Sequence, residues 1–255
     1  MRIATFNLLH GRSLDDGRSD MDRLAAAVRS LDADVLALQE VDRNQERSHG
    51  ADLTAVAAEA MGSLDARFVP ALSGRPGADW TTATGDEPPG SPAYGIALLS
   101  RWAVVSWQVV RLPRAPVRLP LWPYGSRRPR LVPDEPRVAV AGVVDGPFGL
   151  FTVCTTHLSF VPGCNVWQLR RVVRALAGSP RPRVVLGDLN MGARLATWAG
   201  GLRPLATAPT YPADRPRRQP DHVLADDWLR ASEPGEAVRL PFSDHRALVV
   251  PVAPA

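Results

Sequence analysis

The chain has 255 residues, 45% of them hydrophobic, and a formal net charge of +4. That is enough apolar material for one large core, and a single domain covering 1–255 is expected. No apolar run approaches the roughly 18 residues of a membrane helix, which excludes integral membrane contact by that route, and strand-like sequence starts too early for a secretory signal, so a cytoplasmic monomer is expected.

All the basic residues are arginine and none is lysine, so the charge reflects compositional bias as much as a binding surface. Local clusters say more: Arg127-Arg128-Pro129-Arg130 and Arg215-Pro216-Arg217-Arg218 both fall in loops and suit phosphate. Cys154 sits in a strand pattern and Cys164 in a Pro-Gly loop, without zinc-site spacing, and both read as free thiols.

Arg2 to Phe6 reads as a strand leading to Asn7. Ser19 or Asp20 caps a predicted helix whose apolar residues Met21, Leu24, Ala25, Val28 and Leu31 recur at helical spacing. Asp34 to Leu38 is a strand ending at Gln39-Glu40. Asp52 caps a second helix carrying Leu53, Val56, Ala57, Ala60 and Met61 on one face, and Gly62 stops it. Ala66 to Leu72 is strand-like, and 73–93 is a long Gly/Pro/Thr loop of the kind that tends to be functional or mobile. Two strands follow, Tyr94 to Ser100 and Val104 to Leu112, bent apart at Arg101-Trp102.

The stretch 113–136 holds seven prolines, cannot enter a sheet interior, and is expected to overhang a pocket or groove. Arg137 to Val144 and Phe148 to Thr155 flank Asp145-Gly146, a hairpin signal. A third helix is predicted from Val166 to Ala177, with Leu169, Val172, Val173 and Leu176 inward. Val184 to Leu186 is a buried strand that stops at Gly187, and period-two alternation puts Asp188 and Asn190 on one side at its end. Leu195 to Trp198 suggests one helical turn, 203–220 a Pro/Arg loop, and Asp221 to Ala225 and Ala247 to Val252 the closing strands. Helices alternating with hairpin-paired strands exclude an all-parallel sheet. Two mixed sheets packed face to face, with helices outside, fit best.

Chemistry collects at the strand ends. Glu40, Asp188, Asp221 and Asp244 lie at strand edges in polar-poor surroundings, where ionised carboxylates repel one another unless a cation is shared. Oxygen donors suit a hard ion such as Mg²⁺ or Mn²⁺. His157, His222 and His245 sit beside these acids or at a strand end. Asp244-His245 places an acid next to a base that titrates near neutral pH, which is what activation of a water requires.

Taken in order, Thr5-Phe6-Asn7, Leu38-Gln39-Glu40, Tyr94 to Arg101, Thr156-His157-Leu158, Gly187-Asp188-Leu189-Asn190, Pro220 to Leu224 and Ser243-Asp244-His245 resemble the endonuclease/exonuclease/phosphatase superfamily. The resemblance runs from residue 3 to 252. It implies an α/β fold, a four-layer α/β sandwich of the deoxyribonuclease I type: two mixed β-sheets face to face, helices on the outer faces, and the site at one end. It implies a Mg²⁺-dependent phosphoester hydrolase, foremost a phosphodiesterase or endonuclease with nucleic acid set ahead of phospholipid. Sphingomyelinase-like or small soluble phosphoesters are the alternative, and an inactive binding module the last reading.

By resemblance, Glu40 is the main Mg²⁺ ligand, with Asn7 and Asp244 near it and Mn²⁺ able to substitute. Asp188 orients the attacking water, Asn190 holds a phosphate oxygen, and His245 pairs with Asp221 as an acid–base dyad. His157 donates to the phosphate or the leaving group, Arg137 contacts phosphate, and His10 either lines the site or shapes the Leu-His-Gly turn. Ser91-Pro92-Ala93 stands where one nuclease branch carries an acid that supports the histidine matched by His157. Thr156-His157-Leu158-Ser159 departs from the abasic-site endonuclease branch and is closer to the sphingomyelinase, phosphoinositide-phosphatase and deoxyribonuclease I branches.

Overall fold

The structure, a computed structural model, describes residues 1–121 and 128–255. In chain order the elements are β1 (Arg2–Asn7), α1 (Met21–Leu31), β2 (Val35–Arg43), α2 (Leu53–Met61), β3 (Asp65–Gly74), β4 (Trp80–Thr82), β5 (Ala93–Ser100), β6 (Val104–Leu112), β7 (Arg118–Leu121) and β8 (Arg130–Pro133). They continue as β9 (Arg137–Gly146), β10 (Gly149–His157), α3 (Cys164–Ala175), β11 (Arg183–Asp188), α4 (Ala193–Gly200), β12 (Arg203–Pro204), β13 (Asp221–Ala225), β14 (Leu229–Ala231), β15 (Glu236–Val238) and β16 (Ala247–Pro254).

One sheet has the order β14-β16-β1-β2-β5-β3-β4, with β15 also on β16, and the other the order β12-β13-β11-β10-β9-β6. Both are mixed. β1 and β2 run parallel, as do β10 and β11, while β16, β5, β9 and β13 run antiparallel to them.

Alternation of side chains explains the layers. Ile3, Val35, Ala37, Val153, Val184, Leu186, Val223 and Leu248 point between the sheets and form one core. Their sequence neighbours Ala4, Leu36, Leu38 and Val249 point the other way, onto Leu24, Val28, Leu31, Leu53 and Ala57 of α1 and α2. On the second sheet Ala139, Cys154, Val185 and Leu224 meet Leu169 and Val172 of α3 and Ala196 of α4. With helices on both outer faces, the strands are apolar on both sides, which is why they read as continuous apolar runs. The result is the four-layer α/β sandwich expected.

The first two helices start as predicted. The Asp20 carboxylate accepts from Arg23 N–H, and that of Asp52 from Thr54 and Ala55 N–H. Each such cap contributes about 1 kcal/mol. The third begins two residues earlier than predicted, at Cys164, so that cysteine belongs to a helix and not to a loop, and it ends at Ala175. The single turn expected at Leu195 is a full helix, Ala193–Gly200.

Two further expectations are corrected and another holds. The 73–93 loop contains β4, which pairs with the extended end of β3. Among the described residues of 113–136, β7 and β8 pair only with each other, outside both main sheets, as the prolines require. Arg127 of the first arginine cluster lies outside the described residues. Last, β2 does not stop at Glu40 but runs on to Arg43 through an irregularity, where the register with β5 shifts between Leu38 and Val41.

Candidate active site

The directions of the strands assemble the site. β1, β2, β10 and β11 bring their carboxyl ends to one end of the sandwich, and β9, β13 and β16 begin there. Asn7, His157, Asp188 and Asp221 share the alternation of the inward residues Ile3, Val153, Val184 and Val223, so all four are carried toward the gap between the sheets. Asp188 and Asp221 stand opposite each other in the β11–β13 register.

Glu40 has the wrong alternation. An unbroken β2 would turn it, with Leu36 and Leu38, onto the helices. Instead its backbone has φ +55°, in the left-handed region, at the register shift. A bulge of this kind re-aims one side chain, and here Glu40 is brought to Asn7, whose Nδ2 donates to Glu40 Oε1 at 3.0 Å. The same Nδ2 donates to Asp188 Oδ2 at 3.1 Å. Asn7 Oδ1 accepts from Leu9 N–H at 3.1 Å, so the amide turns its N–H groups toward the acids. In this arrangement Asn7 orients Glu40 and Asp188.

Just below, Gln39 ties the two sheets together. Its Nε2 donates to Thr5 Oγ1 and to Thr155 Oγ1, each at 3.1 Å, in a fully buried setting. A buried and satisfied amide of this kind holds the strand ends at a fixed spacing.

Asp188 Oδ2 lies 3.5 Å from His157 Nε2 and 3.8 Å from His245 Nε2. On its other ring nitrogen, Nδ1, His245 meets Asp221 Oδ2 at 2.8 Å. Thr210 Oγ1 donates to the same Asp221 oxygen. Asp188, Asp221 and His245 offer ligand atoms all within 4.8 Å of one another. Within that trio the hydrogen bond is His245 to Asp221, whose Oδ2 is shared with Thr210, while Asp188 faces His245 at ion-pair distance. Ser243 supports it: its Oγ donates to Asn7 O at 2.7 Å and accepts from His245 N–H at 3.1 Å.

The two histidines are driven in opposite directions. Burial lowers His157 to about 3, with the nearby Arg137 guanidinium adding to the effect, so it is neutral at physiological pH. Burial also pulls on His245, but the carboxylates of Asp221, Asp188 and Asp244 outweigh it and hold the imidazole at about 10. Burial pushes the Glu40 carboxyl up to about 7, with Asp244 adding to the push and Asn7 opposing it. Asp244 is raised too, again chiefly by burial. Two half-buried carboxyls whose ionised forms the fold disfavours, both offering hard oxygen, fit a divalent cation.

The remaining residues fall into place around this centre. Asn190 does not extend the alternation of Asp188: β11 ends at Asp188 and Asn190 takes a left-handed turn, φ +50°. Its backbone N–H donates to Asp188 Oδ1 at 3.0 Å and its Nδ2 to Leu158 O at 2.9 Å. Arg137 is buried at the start of β9, with Nε lacking a partner and Glu135 3.8 Å from Nη1. His222, one position out of phase, spends Nε2 on Met191 O at 2.8 Å and is structural. His10 occupies a left-handed turn, and burial lowers it to about 3, with Arg47 and Arg12 contributing.

Two neighbours of the dyad were not legible in the sequence. Thr210 and Tyr211 lie in the 203–220 loop, and the Tyr211 ring sits 4.9 Å from that of His245, with the Arg218 guanidinium 4.9 Å from its centroid. Ala213 N–H donates to Asp244 O at 2.7 Å and Arg246 N–H to Thr210 O at 2.8 Å, which staples the loop to the dyad. Nothing in a Pro/Arg loop signals these pairings, since they depend on where β13 and β16 bring the loop.

The sequence profile described as "Endonuclease/Exonuclease/phosphatase family" matches residues 4–245. None of the curated protein sequences matches. Among solved structures, the endonuclease/exonuclease/phosphatase from Beutenbergia cavernae is similar at 26% identity and a TM-score of 0.74, over 100% of this chain and 72% of that one. The mannosyl-6-phosphatase of Bacteroides thetaiotaomicron is 15% identical with a TM-score of 0.66, over 99% of each chain. Sphingomyelinase C of Streptomyces griseocarneus is 15% identical with a TM-score of 0.61, over 98% of each. At these last two identities the likeness is one of fold.

Proposed function

The chain belongs to the endonuclease/exonuclease/phosphatase family, whose members hydrolyse phosphoester bonds, and from that premise we propose that it is a Mg²⁺-dependent phosphodiesterase that attacks with an activated water. The observation that carries the reading is the His245 relay: Nδ1 on Asp221 at 2.8 Å and Nε2 facing Asp188 at 3.8 Å. A base oriented through one ring nitrogen leaves the other for a proton of water.

The geometry supports the following roles. Asp188, beside Nε2 of both histidines, aligns the water. His245 takes its proton at Nε2, and Asp221 stabilises the imidazolium that results. His157 stays neutral and offers a hydrogen bond to a phosphoryl or leaving oxygen, while the buried Arg137, with an unpartnered Nε, supplies positive charge beside it. A divalent cation held by Glu40 and Asp244, with Asn7 beside them, would supply positive charge to the phosphoryl oxygens and oppose the carboxylate field that keeps a proton on His245.

Nucleic acid remains the leading substrate class. Arg218, on the same loop as Arg215 and Arg217, packs on Tyr211 beside His245, which brings one guanidinium to the edge of the site. Purified protein is expected to nick supercoiled plasmid with Mg²⁺ at low salt and to stop when chelator is added. His245→Ala should lower turnover by at least about a hundredfold, in line with loss of a general base. Near-normal rates in that variant would remove His245 from the mechanism. Hydrolysis of bis(p-nitrophenyl) phosphate without plasmid nicking, and with little response to salt, would move the substrate to a small or lipid ester.

A further inference from the structure

Neither α3 nor α4 carries an acid of its own. Of the seven arginines between Leu158 and Ala213, Arg181 and Arg203, which lie off the two helices, pair with Asp226 and Asp227. Arg170, Arg171 and Arg174 are exposed along α3, and Arg194 is exposed near the start of α4. Among them stand Trp167, Leu195 and Trp198, which are 47%, 42% and 64% exposed. The same helices already bury Leu169, Val172 and Ala196 against the sheet, so these three apolar side chains are surplus to the core. They belong to one surface, for the Arg170 guanidinium of α3 lies 4.3 Å over the Trp198 ring of α4, and that of Arg171 lies 5.8 Å from Trp167.

We propose that this face docks the protein on an anionic phospholipid surface. Exposed tryptophan and leucine interleaved with arginine is the composition that settles at a bilayer's headgroup level, with guanidinium groups on the phosphates and the apolar side chains just beneath. The contact is peripheral, since no helix of the described residues is long and apolar enough to cross a membrane. A nucleic acid would use the arginines but not the rest. A guanidinium already occupies one face of each indole, which leaves less ring surface for base stacking. Leu195 likewise gains nothing from a phosphate backbone. Docking uses none of the catalytic groups, although the first turn of α3, which bears Trp167, is tied to the site rim by Asn165 Nδ2 donating to Asn190 O at 3.0 Å.

The test is sedimentation of the full chain with vesicles of equal parts phosphatidylglycerol and phosphatidylcholine, against phosphatidylcholine alone. Binding to the mixed vesicles should exceed that to the neutral ones by about tenfold or more and weaken as salt rises. Trp198→Ala and the pair Arg174→Glu/Arg194→Glu should each reduce it by about tenfold, with the far-ultraviolet dichroism unchanged. Hydrolysis of a soluble phosphodiester should also be unchanged in these variants. Absence of vesicle binding, equal binding to neutral vesicles, or full binding by the charge-reversed pair would overturn the proposal. Duplex DNA bound through these residues in place of vesicles would overturn it too. If Trp198→Ala fails to fold, the charge-reversed pair decides alone. Sedimentation needs no turnover, so this proposal and the phosphodiesterase reading fail separately.

Discussion

Glu40 carries the sharpest conflict in the site. Its carboxyl is held at about 7, against an ordinary 4.5, by burial and by Asp244. A folded-state value above the unfolded one means that the fold prefers the protonated form. That preference stabilises fully below about 4.5 and is lost as pH rises through about 7. Glu40→Gln mimics the protonated carboxyl, so without metal its thermal midpoint should equal that of the wild type near the acid end of this window and exceed it above. The same variant should bind Mg²⁺ at least about tenfold more weakly by calorimetry. A variant that binds Mg²⁺ normally would remove Glu40 from the cation site. At this scale the sequence exposed the acids and histidines, because chemistry-bearing residues at strand ends stand out from apolar runs. It did not expose Thr210 or Tyr211, whose partners Asp221 and His245 are reached only through the folded loop.

Among the elements, β11 shows how closely the strand end is specified. Gly187 has φ +140°, and a Cβ built on it would lie 1.9 Å from Thr156 O on β10. Gly187→Ala must therefore separate β10 from β11 just where His157 and Asp188 pair in register. The expected cost is about 3 kcal/mol or more, seen as a lower denaturation midpoint, with activity falling beyond the loss of folded protein. A midpoint within error of the wild type would show that the strands can part cheaply. Helix positions were legible from periodicity and caps, as at Asp20 and Asp52. The β2 bulge was not: Leu36, Leu38 and Glu40 have a single alternation on paper, and only the register against β5 reveals the extra residue.

For the whole molecule, stability without metal should depend on pH through opposed groups. His245, held at about 10 against an ordinary 6.5, contributes fully below about 6.5, and its contribution is lost as pH rises through about 10. His157 and His10, both lowered to about 3, contribute above about 6.5 and lose that contribution as pH falls through about 3. Thermal midpoints of metal-free protein should thus decline from neutral pH toward 10, and saturating Mg²⁺ should flatten the decline. An alkaline limb that His245→Ala leaves unchanged would contradict the relay. By itself the sequence determined the layers and the end of the sandwich that bears the chemistry, because period-two alternation and strand direction are local properties that each segment states for itself. Only the tertiary structure decided which side chains meet. Asn7 bridges Glu40 and Asp188, a bulge delivers Glu40, and a distant loop hydroxyl shares Asp221 with His245. Those contacts depend on register between strands far apart in the chain, which no single segment encodes.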